Sequence, residues 1–324
     1  MSRARAKLLA FHPRAHRDKV ITPDELRNAY SGFFFESYLH ALAQRFDIYW
    51  AESLRVAIDL ADFFKDFKGA ILCPFSTDDL DTFAFVNWCA KRDWAIIAFD
   101  ICDSNPCLEF RSDVSDLIEA VGKLACWVHA GHRSIDRLCW LAKTRTEHIW
   151  FPLYQPQLPP ARPEFERAWL MHTALPVQHV EVGRVLMVTE KTDTWAAMLV
   201  DQELDHPRLK YYPKMSWDEH IGAIRSCFAL FHFAPGDYRL GRSAVFAALS
   251  GKPFFSDSEY CAASRTMFPQ LADVHTPEEL EQALNRINEA LETAKEFVER
   301  EILDARSIER RLCELCASIF EIDL

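Results

Sequence analysis

The chain has 324 residues, a formal net charge of −11, 49% hydrophobic residues and 26% charged ones. These are ordinary values for a soluble globular protein, and the length predicts two domains, because a single core rarely grows beyond roughly 250–300 residues. No apolar run approaches the ~18 residues of a membrane span, and the short apolar run Leu8–Phe11 behind a basic start is too brief for a signal peptide.

In chain order, the first half alternates apolar strands with amphipathic helices. Strands are predicted over Lys7–His12, Asp47–Ala51, Ala70–Pro74, Trp94–Phe99, Leu124–His129 and Glu147–Phe151. Helices are predicted over Phe34–Phe46, Ser53–Phe67, Asp78–Lys91, Val114–Lys123 and Ser134–Lys143. Continuous apolar strands separated by helices indicate a parallel sheet covered on both faces. The first 19 residues carry Arg3, Arg5, Lys7, Arg14, Arg17 and Lys19 against one acid, Asp18, a local basic arm that serves either an anionic partner or solubility alone.

A proline-rich stretch with Pro152, Pro156, Pro159, Pro160 and Pro163 then reads as an interdomain linker, since it suits neither a helix interior nor a central strand. The alternation restarts with a strand over Arg184–Thr189, a helix over Thr194–Leu204 and a short strand over Leu209–Tyr212. A helix over Ser216–Arg225, a buried strand over Cys227–His232, a helix from Arg242 to Ser250 and a strand over Pro253–Ser256 follow. Long helices run from Pro277 to the end, where residues 276–324 hold 13 acidic and 6 basic side chains. Much of the negative charge is thus a solvated helical surface, and it does not argue against an anionic ligand elsewhere. The expected organisation is α/β, with two doubly wound, Rossmann-like domains and a cleft between them. The boundaries are 1–155 for the first domain, 156–182 for the linker and 183–324 for the second. In such sheets ligands bind outside the carboxyl ends of the strands.

The ten cysteines lack the spacing of a disulfide scaffold or a zinc site. Cys73, Cys126 and Cys227 lie in strands, and Cys313 and Cys316 read as helix packing, so the expected compartment is the reducing cytoplasm. The nine glycines assemble neither GxGxxG nor GxxxxGK, which excludes the usual dinucleotide and Walker motifs. The informative segment is Phe231–Asp257, FHFAPGDYRLGRSAVFAALSGKPFFSD. It places Gly236 and Gly241 in a loop after a strand and Ser243 at a helix start, with Arg239 and Arg242 beside free N–H groups. That combination suits a diphosphate.

This segment resembles the donor-binding region of GT-B glycosyltransferases, with its E-x-x-G-x-x-x-x-E helix start and A-x-x-x-G-x-P turn. Gly241 matches the motif glycine, and Ala247, Gly251 and Pro253 match the turn. The two motif glutamates fall on Tyr238 and Phe246, with Asp237 one position from the first. The resemblance implies a metal-independent glycosyltransferase with no cofactor beyond a nucleotide-diphosphate sugar as donor substrate. It implies donor contacts from Lys191, Asp237, Tyr238, Arg239, Gly241, Arg242 and Ser243. The acceptor, whether a glycan, a small molecule or a modified DNA base, would lie against loops of the first domain. There Asp100, His129 and His132 are the candidate acids and bases. The acids of Ser76–Asp81, including Asp79 and Asp81, read as helix caps rather than metal ligands. Two further readings stand beside this one. One is a GT-B-shaped binding or scaffold protein without catalysis, motivated by Tyr238 and Phe246; the other is a phage-type DNA base glycosyltransferase.

Overall fold

The computed structural model describes residues 5–13, 15–28, 35–77, 79–100, 114–154, 158–171, 178–198, 206–212, 215–232, 241–259 and 261–323. The chain divides into two compact units. Of the described residues, the first combines those up to 154 with 301–323, and the second those from 158 to 300.

The first unit holds strands β1 (Lys7–Phe11), β2 (Val20–Ile21), β3 (Asp47–Ala51), β4 (Phe67–Leu72), β5 (Ile96–Phe99), β6 (Cys126–His129) and β7 (Arg145–His148). They form one sheet in the order β2-β3-β1-β4-β5-β6-β7, parallel except for the edge strand β2. Its helices are α1 (Pro23–Asn28), α2 (Phe35–Ala43), α3 (Leu54–Phe63), α4 (Leu80–Ala90), α5 (Val114–Gly122) and α6 (Arg133–Ala142). Leu8, Leu9, Ile71, Ile97 and Val128 are buried in full, as strands covered on both faces require. The helix starts are written locally. Ser53 accepts the Val56 N–H to open α3, and Asp79 accepts the Asp81 N–H to open α4. Asp79 is therefore a cap, as its position in the sequence implies.

The second unit holds strands β8 (Ala168–Met171), β9 (Trp195–Met198), β10 (Leu209–Tyr211), β11 (Ala229–His232) and β12 (Phe254–Ser256), all parallel, in the order β10-β9-β8-β11-β12. Its helices are α7 (Gln178–Val188), α8 (Trp217–Ser226), α9 (Arg242–Leu249), α10 (Ala262–Thr266), α11 (Pro277–Leu284) and α12 (Ile287–Glu301). Capping boxes start two of them, Ser216 with Glu219 on α8 and Thr276 with Glu279 on α11.

Three sequence expectations are corrected here. Arg184–Thr189, expected as a strand, belongs to α7 and the turn after it. Its buried residues Val182, Val185 and Val188 recur every three positions, the spacing of one helix face. Thr194–Leu204, expected as a helix, contains strand β9, where Ala196 and Ala197 are both buried between neighbouring strands. The central strand of this sheet, β8, lies within the segment expected to be linker. The prolines before it are not a free spacer, since Arg225 donates to the carbonyls of Leu158 and Pro159, and the Arg162 N–H donates to the Gly222 carbonyl. At Gly222 a Cβ would lie 2.6 Å from the Pro160 carbonyl oxygen, so α8 and this segment meet where only glycine fits.

The last helix, α13 (Ala305–Ile319), returns to the first unit and packs on α2. The sequence boundaries place it in the second domain instead. Gly69 on β4 explains the close fit, because a Cβ there would lie 2.3 Å from the Phe320 ring. The described cysteines are all free and buried. Cys313 and Cys316 belong to this packed helix, and burial pushes the Cys313 thiol up to about 12.

Candidate functional site

In the first unit, the carboxyl ends of β5 and β6 bring Asp100, His129 and His132 together. Asp100 follows β5 with a φ of 45°, a left-handed conformation that Asp adopts more readily than most residues. The Asp100 N–H donates to the Val128 carbonyl at 2.7 Å, and the Trp127 indole N–H donates to the Asp100 carbonyl at 3.0 Å. His129 closes β6 and His132 precedes α6. Asp100 and His129 are fully buried and His132 nearly so, and His132 Nε2 lies 4.0 Å from Asp100 Oδ1.

The histidines extend into a second cluster that the sequence reading missed. The His132 N–H donates to His129 Nδ1 at 3.0 Å, which places the proton of neutral His129 on Nε2. That atom is 3.3 Å from Asp136 Oδ1, and His148 Nε2 is 2.9 Å from the same oxygen. Burial pushes the Asp136 carboxyl up, but the hydrogen bond with His148 and the close approach of His129 outweigh it and hold the group well below the ordinary carboxylate range. The sequence did carry a signal, His129-x-x-His132-x-x-x-Asp136, in which a strand end and the first helical turn share one edge. His148, on the neighbouring strand, carries no local signal.

His129, Asp136 and His148 present ligand atoms within 4.8 Å of one another, as do Asp257, Asp273 and His275 in the second unit. Neither donor set suits a cation. Metal at His129 Nε2 would require a doubly deprotonated ring, since Nδ1 already accepts a hydrogen bond. Asp257 is held by both Arg184 Nη atoms at 2.9 and 2.8 Å, and Asp273 accepts from the N–H and hydroxyl of Ser258.

In the second unit, Gly241 is the N-cap of α9, in extended conformation with no side chain to cap the first turn. The Arg242 guanidinium lies 4.4 Å from the Trp217 ring centroid, a cation–π contact from α8. Ser243 is buried, with its hydroxyl 3.3 Å from His220 Nε2. Trp217 and His220 are thus supporting residues that sequence reasoning did not single out; their spacing of three on α8 aims both at α9. Phe246, at the second motif-glutamate position, is 1% exposed and meets the Trp217 ring edge-on. It is a core side chain. Asp237, Tyr238 and Arg239 lie outside the described residues.

Lys191 is placed differently from the expectation. The segment before it is α7, not a strand, and in a parallel βα unit the helix runs back toward the amino ends of the strands. Lys191 there pairs with Glu278 at 2.6 Å on the exposed surface, which raises its pKa.

No family model and no curated protein matches the sequence. Solved structures do. Anabaena HepE in complex with UDP-glucose aligns over 96% of this chain and 99% of its own, with a TM-score of 0.62 at 11% identity. The chain has the GT-B fold. Sucrose-phosphate synthase from Thermosynechococcus elongatus shares that fold with a TM-score of 0.64 at 9% identity, over 98% and 100% of the two chains. UDP-N-acetylglucosamine 2-epimerase from Rickettsia bellii shares it at 0.54 and 9%, over 98% of each. A GT-B fold at such identities fixes architecture and leaves the reaction to the residues. No helix among the described residues is long and apolar enough to cross a membrane.

Proposed function

We propose that the chain binds a nucleoside-diphosphate sugar through its second unit and transfers the sugar to an acceptor held by its first. The observation that carries this reading is the start of α9. Its first turn follows β11 with no side-chain cap, Arg242 stands at its first position, and the fold is shared with proteins whose names specify UDP-glucose and UDP-N-acetylglucosamine. The N–H groups of a helix N-terminus and an arginine stabilise a departing diphosphate without a metal ion. Arg239, three residues earlier in the sequence, supplies a second guanidinium in this reading, with Gly241 and Ser243 shaping the turn and Asp237 or Tyr238 facing the sugar. Lys191 takes no part.

Asp100 is the proposed base toward an acceptor hydroxyl, with His132 beside it. Buried Phe246 supports a narrower alternative, a protein that binds the nucleotide and does not turn it over. Thermal shift with UDP, GDP, dTDP, ADP and CMP tests the binding step. At least one diphosphate raises the melting temperature, and Arg242→Ala weakens it about tenfold or more, the worth of one charge-assisted hydrogen bond. No stabilisation by any of the five refutes the reading. Acceptor-dependent release of the nucleotide from its sugar, lost in Asp100→Asn, separates transfer from both epimerisation and binding alone.

A further inference from the structure

Two buried polar groups at one place in the first unit have no hydrogen-bond partner among the described residues. Glu52 directly follows β3, is 9% exposed, and its Oε2 is buried without a hydrogen bond. Trp50, two residues earlier, is 3% exposed, and its indole Nε1 is buried without an acceptor. The antiparallel ladder with β2 continues one residue past the strand end before the chain bends into α3: the Glu52 N–H donates to the Lys19 carbonyl and the Arg17 N–H to the Glu52 carbonyl. Alternation along an extended strand therefore brings the two side chains to the same face. Across the sheet, His12 follows β1 and its ring stacks on Trp50 at 5.4 Å and 25°. All three lie at the carboxyl ends of adjacent parallel strands, the edge at which such sheets bind ligands.

The pairing is selective about what satisfies it. Buried polar groups are nearly always hydrogen-bonded, and a lone buried carboxylate oxygen beside a lone indole N–H is costly on both counts. A cation would meet the carboxylate but face the positive end of the indole N–H. An anion would meet the indole and be repelled by the carboxylate. A hydroxyl accepts from one and donates to the other. The two residues are two positions apart, with Cα atoms about 6.6 Å apart along a strand, so a ligand carrying several hydroxyls meets both groups better than a single small molecule. The half-buried His12 ring beside them offers a flat face that matches the C–H side of a sugar.

We infer that Glu52 and Trp50 form a carbohydrate-hydroxyl recognition site at the carboxyl ends of β1 and β3, walled by the half-buried His12. The role of this site as the acceptor site rests on the transferase reading above; the binding itself does not. Saturation-transfer NMR on the full chain, with methyl β-D-glucopyranoside, methyl β-D-galactopyranoside and maltose as probes, tests it. At least one probe binds the unaltered protein. Glu52→Gln and Trp50→Phe each weaken it about tenfold, with the cooperative melt and any nucleotide binding retained. Trp50→Phe keeps an aromatic ring but removes the donor together with part of the indole volume, so the isosteric Glu52→Gln carries the comparison. Binding of no probe by the unaltered protein, or equal binding by both variants, overturns the inference. A changed melting temperature with unchanged glycoside binding overturns it too, because ordered water alone then fills the pair. Titration with UDP in the same variants reads the second unit separately, so a failed donor site leaves the glycoside result standing.

Discussion

Removing α13 tests the interleaved division of the chain. Ile308, Leu312, Leu315 and Phe320 are all buried, between 0% and 7% exposed, in a unit whose other residues end at 155. Full burial of each such side chain contributes about 1.5–3 kcal/mol, so the four supply roughly 6–12 kcal/mol as an upper estimate. A domain's whole stability is about 5–15 kcal/mol. The fragment 1–155 therefore lacks a cooperative fold, although it contains every strand of its sheet. Far-UV circular dichroism and urea unfolding give the readout. Fragment 1–155 shows a shallow transition without a baseline, and joining residues 301–324 to it through a flexible linker restores a two-state curve. A cooperative melt for 1–155 alone, with a midpoint matching that of the joined form, refutes the assignment of α13 to the first unit.

Gly69→Ala forces a methyl into the Phe320 ring, at 2.3 Å, and costs about 1–3 kcal/mol of stability; Phe320→Leu in the same chain recovers part of the loss, and equal stability of Gly69→Ala and the parent chain contradicts the packing. Asp136→Asn removes a carboxylate held below its ordinary range. The stabilisation is complete above the unfolded-state pKa near 4 and fades as the pH falls below it toward the folded value. Discounted for a side chain 36% exposed, the loss is about 1 kcal/mol at pH 7 and smaller at pH 3; urea curves showing the same difference at both would exclude the His129–Asp136–His148 cluster. Thr276→Ala breaks the α11 capping box and lowers stability by about 1 kcal/mol in denaturant titration, with an unchanged midpoint as the refuting outcome.

The legible parts of the fold are those where local chemistry and burial agree. Asp47–Ala51 matches its strand residue for residue, and Ser216 and Thr276 open helices where the sequence places them. The reading failed where they disagree. Val182, Val185 and Val188 are β-branched but spaced for one helix face, while Ala196 and Ala197 are strong helix formers buried in a strand. The contact between Gly69 and Phe320, about 250 residues apart in the chain, leaves no trace in any local window.

These errors of period decide where the expected site residues lie. Lys191 entered the donor site only because the segment before it read as a strand, and a helix there moves it to the far edge of the unit, beside Glu278. Arg242 needed no such inference: strand β11, helix α9 and strand β12 fall where the sequence puts them, and Arg242 opens α9 as expected. Phe246 belongs to the same well-read helix, and its burial against Trp217 shows that a motif position can keep its place in the backbone while its side chain joins the core. Position in the fold can be transferred through a resemblance; chemistry has to be read from the side chain that is present. By that standard the groups left unpaired at Glu52 and Trp50, which no motif marks, carry more information about a ligand than the motif residue at Phe246.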